Sequence, residues 1–252
     1  MSIREIFENL LADGQTKTLL EFIQRIKDSI PKEQRIGKGI VWSLRQVRKQ
    51  VRIEVPLLIQ QQSLSILINS NDWQIRKLTS FIAVNCCIEE NKIDPYLPLI
   101  KRAANDPHFG VRESAQMAMR ELLQEFPDKI LSYYEQWIDD SKENIRRCVS
   151  ESLRPVLVNG KNWLRNNPQK AIQLLTKLNQ DPSIYVRKSV GNNLADISKR
   201  HPILVLSTLH IWLSENNYDK RTMFIARKAC RHIINTHPAE VTELLKGESI
   251  IN

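Results

Sequence analysis

Glycine is scarce in this chain, which has seven glycines in 252 residues. An all-β fold needs many tight turns, and glycine supplies the left-handed backbone that such turns use. The scarcity therefore argues against an all-β protein. Long apolar runs are also missing, since no apolar stretch approaches the 18 residues of a membrane-spanning helix. Arg4 and Glu5 interrupt the start of the chain, so we expect neither a membrane association nor a signal peptide.

Motifs for metal or nucleotide chemistry are absent from the sequence. There is no Gly-rich phosphate loop, no Gly-x-Ser-x-Gly, no His-Glu dipeptide and no Cys/His pair at ligand spacing. The four cysteines lie within helical patterns, without disulfide or metal-ligand spacing: Cys86, Cys87, Cys148 and Cys230. We expect buried thiols in a reducing cytoplasm, and neither a metal nor a cofactor.

A repeat runs along most of the chain. Aligned on an arginine, related segments occur at five positions: Arg76, Arg112, Arg146, Arg187 and, in degenerate form, Arg227. The first four place a valine or isoleucine directly before the arginine and an aspartate upstream. Successive arginines are 36, 34, 41 and 40 residues apart, and apolar residues follow each at helical spacing. A period near 40 predicts an all-α, HEAT-like repeat α-solenoid built from antiparallel helix pairs.

The repeat also predicts the domain organisation. We find no Gly/Ser-rich linker that would mark a domain boundary. We therefore expect one repeat domain over residues 1–252. It would have an N-terminal helical cap at 1–55 and about five helix pairs at 56–246.

Positive charge is unevenly placed along the chain, whose formal net charge is +9. Residues 32–52 hold seven lysines or arginines against one acidic residue, and residues 187–232 hold nine basic residues against three acidic ones. Four cations of the first segment share one helix face by their spacing: Arg45, Arg48, Lys49 and Arg52. This basic stripe is either a solvated helix face or a phosphate-binding surface. Two basic segments favour nucleic acid, and we expect double-stranded DNA as the partner of a monomer.

Two segments carry a resemblance to a known family. They read NIRRCVSESLRP at 144–155 and YVRKSVGNNLADISKRHP at 185–202. Both are similar to segments of the HEAT-like-repeat DNA alkylation repair proteins, more closely of the AlkC type than of the AlkD type. The resemblance extends from about residue 100 to 246. It implies a monofunctional DNA glycosylase that removes cationic N3- or N7-alkylated purines without a metal or nucleotide cofactor.

The resemblance also indicates candidate catalytic carboxylates. Glu151 and Asp196 match family positions associated with the active site. A third family carboxylate is replaced here by His108, and Glu113 is the candidate substitute. A fixed carboxylate stabilises the positive charge that develops on the sugar and positions the attacking water. A buried ion pair with an arginine such as Arg154 or Arg187 is the alternative interpretation of either carboxylate.

Further candidates for DNA contact come from the same segments and their surroundings: Arg147, Arg154, Arg187, Lys188, Asn192, Asn193 and Trp163. Structural roles are open for most of them. The repeat arginines can pair with the aspartate of a neighbouring repeat, and the two asparagines can crosslink helices. Two function classes therefore remain. Glu151 and Asp196 favour a glycosylase, whereas His108 favours a DNA- or protein-binding scaffold of the same family.

Overall fold

Helices dominate the computed structural model, which describes residues 1–34, 36, 39–158 and 160–246. These residues form fifteen α-helices and two short 3-10 turns, and their β structure is one isolated bridge between Val158 and Lys161. The predicted all-α HEAT-like repeat fold is confirmed. Arg35 and Lys38 of the basic segment lie outside the described residues. No helix in the described part of the chain is long and apolar enough to cross a membrane.

The chain separates into two compact units, Met1–Met119 and Arg120–Asn252. The first unit contains the three N-terminal helices and the start of the repeat. The single domain expected over the whole chain stays a prediction. The helices that begin in the first unit are α1 (Ile3–Asp13), α2 (Lys17–Asp28), α3 (Ile40–Glu54), α4 (Leu57–Asn69), α5 (Trp73–Glu90), α6 (Leu97–Ala104) and α7 (Phe109–Glu125).

The second unit continues with alternating first and second helices. Its helices are α8 (Pro127–Trp137), α9 (Glu143–Ser152), α10 (Trp163–Asn166), α11 (Pro168–Thr176), α12 (Ile184–Ser198), α13 (Pro202–Glu215), α14 (Lys220–Ala229) and α15 (Pro238–Lys246). Proline opens α8, α11, α13 and α15, where its missing N–H costs nothing. Within the described residues, α4 packs against α5, α8 against α9, α11 against α12, and α13 against α14.

Each repeat arginine folds back onto the loop that precedes its own helix. In all four clear repeats, Nη1 of the arginine donates to the carbonyl oxygens six and five residues upstream, at 2.5–3.2 Å. These arginines are Arg76, Arg112, Arg146 and Arg187. The loop has few backbone partners of its own, so the guanidinium satisfies carbonyl groups that would otherwise be left open. This contact closes the turn between the two helices of a pair.

Two of these arginines also reach the loop of the next repeat. Arg76 donates to both carboxylate oxygens of Asp106 at 2.7 and 3.0 Å. Arg146 does the same with Asp181 at 2.6 and 2.9 Å. Each aspartate also accepts the backbone N–H two residues further on, which shapes its own loop. The interpretation that the repeat arginine pairs with a neighbouring aspartate is confirmed for these two; we call each such contact an arginine clamp.

We expect the clamp between Arg146 and Asp181 to dominate the local stability. Their side chains are 12% and 2% exposed, so Arg146→Ala leaves a buried carboxylate without its partner. The free energy of unfolding should fall by about 3 kcal/mol, measured by urea denaturation. Lys177→Ala is the matched control, because it breaks the exposed pair with Glu135 and should cost less than about 1 kcal/mol. Equal losses in the two variants would contradict the structural role of the clamp.

Candidate active site

The two candidate carboxylates lie on neighbouring helices of the second unit. Glu151 is in the last turn of α9, and Asp196 is in the last turn of α12. These second helices of successive pairs pack against each other. Both side chains are largely buried, with 8% of Glu151 and 13% of Asp196 exposed. A carboxylate at such a position needs a cation or hydrogen-bond donors beside it.

Arg154 joins the two carboxylates. Its Nε and Nη2 donate to Oδ2 of Asp196 at 2.8 and 2.5 Å, and its Nη1 donates to Oε2 of Glu151 at 3.3 Å. Glu151 and Asp196 therefore meet in one cluster, and the ion-pair interpretation with Arg154 is confirmed. Phosphate binding by Arg154 and catalysis by either carboxylate stay predictions.

Three more cations complete this cluster. Arg147 Nη2 lies 3.1 Å from Oε1 of Glu151, and Lys199 Nζ donates to Oδ1 of Asp196 at 2.8 Å. Arg120 Nη2 donates to the backbone oxygen of Glu151 at 2.7 Å. Four cations thus surround two carboxylates, and the excess positive charge favours an anion as ligand. We call these six residues the carboxylate cluster: Arg120, Arg147, Glu151, Arg154, Asp196 and Lys199.

The sequence predictions missed Arg120 and Lys199. Lys199 lies three residues after Asp196, so helical spacing could have indicated the pair. Arg120 comes from α7, 31 residues before the carbonyl that it contacts. No local pattern in the sequence joins these two positions.

Hydrogen bonds decide the charge state of Asp196. Burial alone would raise the pKa of this carboxyl, but hydrogen bonds from Lys199 and Arg154 lower the pKa below its ordinary value. The pKa of Arg154 is raised in turn, because Asp196 and Glu151 outweigh the effect of burial. Asp196 and Arg154 are therefore both charged at neutral pH.

Two serines and an asparagine hold α9 against α12. Ser189 Oγ and Ser150 Oγ are hydrogen-bonded at 2.9 Å, and Asn193 Nδ2 donates to the carbonyl oxygen of Ser150 at 2.7 Å. Asn193 is fully buried, and its hydrogen bond confirms the alternative interpretation, a crosslink between helices. A DNA contact of Asn193 stays a prediction that its burial does not favour. Asn192 is partly exposed and accepts a hydrogen bond from Arg231 at 2.8 Å. Its contact with DNA stays a prediction.

Arg147 and Lys188 each directly follow a repeat arginine and differ in their surroundings. Both are candidates from the sequence for contact with DNA. The guanidinium carbon of Arg147 lies 3.9 Å from the centroid of the Tyr185 ring, and Arg147 also binds Glu151. Its side chain therefore already makes structural contacts within the protein. Arg187 forms the loop contact described above, whereas Lys188 is exposed. Lys188 is therefore the better placed phosphate candidate.

Trp163 is the tryptophan that the sequence indicates as a candidate for DNA contact. It opens α10 and is partly buried. Its backbone N–H donates to the side chain of Gln124 at 2.7 Å, and the neighbouring Lys161 pairs with Glu125 at 2.9 Å. These contacts attach the segment between α9 and α11 to the end of α7. Stacking of Trp163 on DNA stays a prediction.

The basic stripe on α3 contains three exposed cations rather than four. Arg45, Lys49 and Arg52 are exposed, and Arg52 lies 3.7 Å from Glu89. Arg48 is partly buried and donates to Oδ1 of Asn85 at 2.7 Å. Arg48 therefore binds a neighbouring helix, and phosphate contact by the cations of the stripe stays a prediction.

Glu113, the candidate third carboxylate, belongs to the first unit. Its Oε2 accepts a hydrogen bond from Lys77 Nζ at 2.8 Å, and the lysine side chain is buried while that of Glu113 is about half exposed. The contact neutralises a buried ammonium group. This structural role explains the residue, and its catalytic role stays a prediction.

The cysteines are buried thiols, as predicted from their helical context. Burial raises the pKa of Cys86, Cys87 and Cys148 to about 12 and that of Cys230 to about 11, so the thiols remain protonated at neutral pH. In the described residues, no group of three or more His, Cys, Asp and Glu side chains is arranged to hold a metal ion.

The lowered pKa of Asp196 predicts a pH-dependent stability. Because the folded-state value lies below the ordinary value of 3.8, the stabilisation is fully present above pH 3.8 and is lost as the pH falls through the folded-state value. Asp196→Asn should lower the free energy of unfolding by about 2 kcal/mol at pH 7. The difference from wild type, measured by urea denaturation, should shrink as the pH is lowered towards 3. A pH-independent difference would exclude ionised Asp196 as its source.

Known proteins resemble the chain over the segment that carries the cluster. Residues 111–233 match a family model described as DNA alkylation repair enzyme. The uncharacterized protein YhaZ of Bacillus subtilis (strain 168) is 36% identical over 143 residues, which is 56% of this chain. The chain spans 39% of the length of that relative.

Solved structures share the fold. The alkylpurine DNA glycosylase AlkC of Pseudomonas fluorescens, bound to DNA containing an abasic site analog, has a TM-score of 0.65 at 22% identity. The match covers 97% of this chain and 68% of AlkC. AlkD2 of Streptococcus mutans also has a TM-score of 0.65 at 22% identity, covering 92% of this chain and 99% of AlkD2. Because the two TM-scores are equal, a closer similarity to the AlkC type than to the AlkD type stays a prediction. Over residues 111–233, the chain is therefore similar to the DNA alkylation repair enzyme family.

Proposed function

We propose that the chain is a DNA-binding alkylation-repair protein and that it excises cationic N3- or N7-alkylated purines as a monofunctional DNA glycosylase. The observation that carries this proposal is the meeting of Glu151 and Asp196 at Arg154. Two carboxylates from different repeats share one site that also has an excess of positive charge. The similarity of residues 111–233 to the DNA alkylation repair enzyme family and the shared fold with the DNA-bound AlkC structure support the same proposal.

The reaction needs negative charge near the sugar more than it needs a strong acid. When the C1′–N bond breaks, its electron pair leaves with the base and cancels the positive charge of the alkylated ring. Positive charge then develops on the deoxyribose, and an ionised carboxylate stabilises it. Water adds at C1′, and a carboxylate accepts its proton. Asp196 has the charge state that this role requires.

Arg154 links binding to this chemistry. In the free protein its guanidinium is shared by the two carboxylates, which limits their attraction for a positive sugar. A DNA phosphate is a strong bidentate acceptor for arginine. If Arg154 turns towards phosphate, Glu151 and Asp196 become available to the sugar and to water. Binding of DNA would thus complete the catalytic arrangement.

Double-stranded DNA is the proposed partner, bound by a monomer. Exposed cations occur in both units, at Arg45, Lys49 and Arg52 on α3 and at Lys188 on α12. Each is free to approach a phosphate without breaking a buried contact. Their side chains neutralise backbone charge and carry no base specificity.

Base release tests the glycosylase directly. Incubation with methylated duplex DNA should release 3-methyladenine or 7-methylguanine, measured by chromatography of the free bases. Glu151→Gln and Asp196→Asn should each lower the single-turnover rate by about 100-fold or more, because they remove charge that acts in the transition state. Lys177→Ala should leave the rate unchanged, because Lys177 pairs with Glu135 and is not part of the carboxylate cluster. Salt-dependent DNA binding without base release would reject the glycosylase.

A non-catalytic scaffold is the second candidate function. The saturation of Glu151 and Asp196 by three side-chain cations favours it, since these carboxylates already have structural partners. His108 at the position of a family carboxylate favours it as well. In that case Glu151→Gln and Asp196→Asn would change the stability of the protein and leave no enzymatic rate to compare.

The basic stripe provides a separate test of DNA binding. Changing Arg45, Lys49 and Arg52 together to Ala should weaken duplex binding and reduce the slope of log K against log salt by about 3, because each lost phosphate contact removes about 0.9. Fluorescence anisotropy at several salt concentrations measures this slope. Changing Lys17, Arg25 and Lys27 of α2 removes the same charge from another helix and should have a smaller effect. An unchanged slope in the α3 variant would show that DNA lies elsewhere.

A further inference from the structure

Three aromatic rings form a stack at the loops that precede α5 and α7. The rings of Trp73 and His108 are 4.2 Å apart with an interplanar angle of 19°, and those of His108 and Phe109 are 5.0 Å apart at 25°. The stack joins the same loop in two successive repeats, because Trp73 and Phe109 each lie three residues before the repeat arginine. All three rings belong to the first unit.

The backbone around the stack is shaped to hold the rings. A Cβ atom at Gly110 would meet the rings of Trp73 and His108 at 3.1 Å, so glycine lets both rings lie this close without a shift. The N–H of Gly110 donates to Nδ1 of His108 at 3.2 Å, which orients the imidazole and places its ring proton on Nε2. Asp106, held by the arginine clamp, accepts the N–H of His108 at 2.8 Å. His108 is therefore held both through its imidazole ring and through its backbone N–H.

Phe109 ends the stack in solvent. Its side chain is 69% exposed, although burial of a phenylalanine is a major source of stability. The repeat does not require an aromatic residue here, since Glu143 and Ile184 occupy the same position in later repeats. One side of the ring lies against His108, and most of its remaining surface is open. Such an open aromatic surface is suited to another flat ring.

Cationic side chains lie close to these loops. Arg102 is exposed and lines a surface pocket together with Arg76 and Pro107, next to His108 in the chain. Arg102 also donates to Asn69 at 2.7 Å, which keeps the guanidinium near the pocket. An aromatic stack with an exposed cation near the same loops is a combination suited to binding a base together with its phosphate.

We propose that Trp73, His108 and Phe109 form a stacking site for an unpaired nucleobase of DNA. The base would continue the stack on Phe109, while Arg102 attracts the adjoining phosphate. The inference rests on the proposed binding of DNA and does not depend on catalysis at the carboxylate cluster. It assigns the first unit a role in recognising DNA that contains an unpaired nucleotide. Paired bases do not present their faces to such a site.

A duplex with 2-aminopurine in a single-nucleotide bulge tests the site. Wild type should bind it more tightly than the fully paired duplex and should quench the 2-aminopurine fluorescence through stacking. Phe109→Ala should weaken binding of the bulged duplex about tenfold, since a stacked base contributes about that factor, and should relieve the quenching. Binding of the paired duplex should stay unchanged. Phe109→Trp should retain both the affinity and the quenching.

Two control variants distinguish stacking from other contacts. Ile184→Ala truncates an exposed residue at the same loop position in another repeat, and it should retain the preference for the bulge. Phe109→Leu keeps an apolar side chain without a ring, so retention of the preference in this variant would show a general apolar contact and overturn the proposal. Equal binding of both duplexes by wild type would overturn the stacking site while leaving DNA binding intact. Failure to bind either duplex would reject DNA binding itself.

Discussion

The arginine clamp is the contact on which the repeat depends. Arg146 closes its own loop through two carbonyl groups and then binds Asp181 in the next loop. One guanidinium thereby sets the turn within a pair and the register between pairs. The net contribution of a buried ion pair to stability is modest, because the Coulomb attraction must first offset desolvation. Its larger effect is geometric, since a sliding of α9 against α12 would leave Asp181 unpaired.

The carboxylate cluster follows from this register. Glu151 lies five residues after Arg146, and Asp196 lies nine residues after Arg187. With the loops joined at the clamp, these offsets bring the two carboxylates to adjacent parts of α9 and α12, where Arg154 binds both. Ser150, Ser189 and Asn193 hold the helices between the clamp and the cluster. The same packing that stabilises the repeat therefore positions the candidate active site.

Features that recur along the sequence could be predicted, whereas a single contact between two residues far apart in the sequence could not. The spacing of the repeat arginines predicted the paired helices, and the two family-like segments predicted that Glu151 and Asp196 belong together. The role of Arg48 depends on Asn85, which lies 37 residues away and on another helix. For Asn193 the sequence left both a DNA contact and a crosslink between helices open, and the turn of the helix directs its side chain into the core. Charge and polarity identify candidates, whereas packing decides which of them face solvent.

His108 alters the chemistry of its loop rather than merely removing a charge. A carboxylate at this position would add negative charge close to Asp106, which already requires Arg76 as a partner. The imidazole instead accepts the N–H of Gly110 and stacks between Trp73 and Phe109. His108 therefore lacks the negative charge that a carboxylate would supply, and its ring forms part of an aromatic surface suited to other flat rings. In the proposed glycosylase, the charges of Glu151 and Asp196 are already shared with Arg154. The proposed reaction would then be limited by how completely a DNA phosphate draws Arg154 away from the two carboxylates.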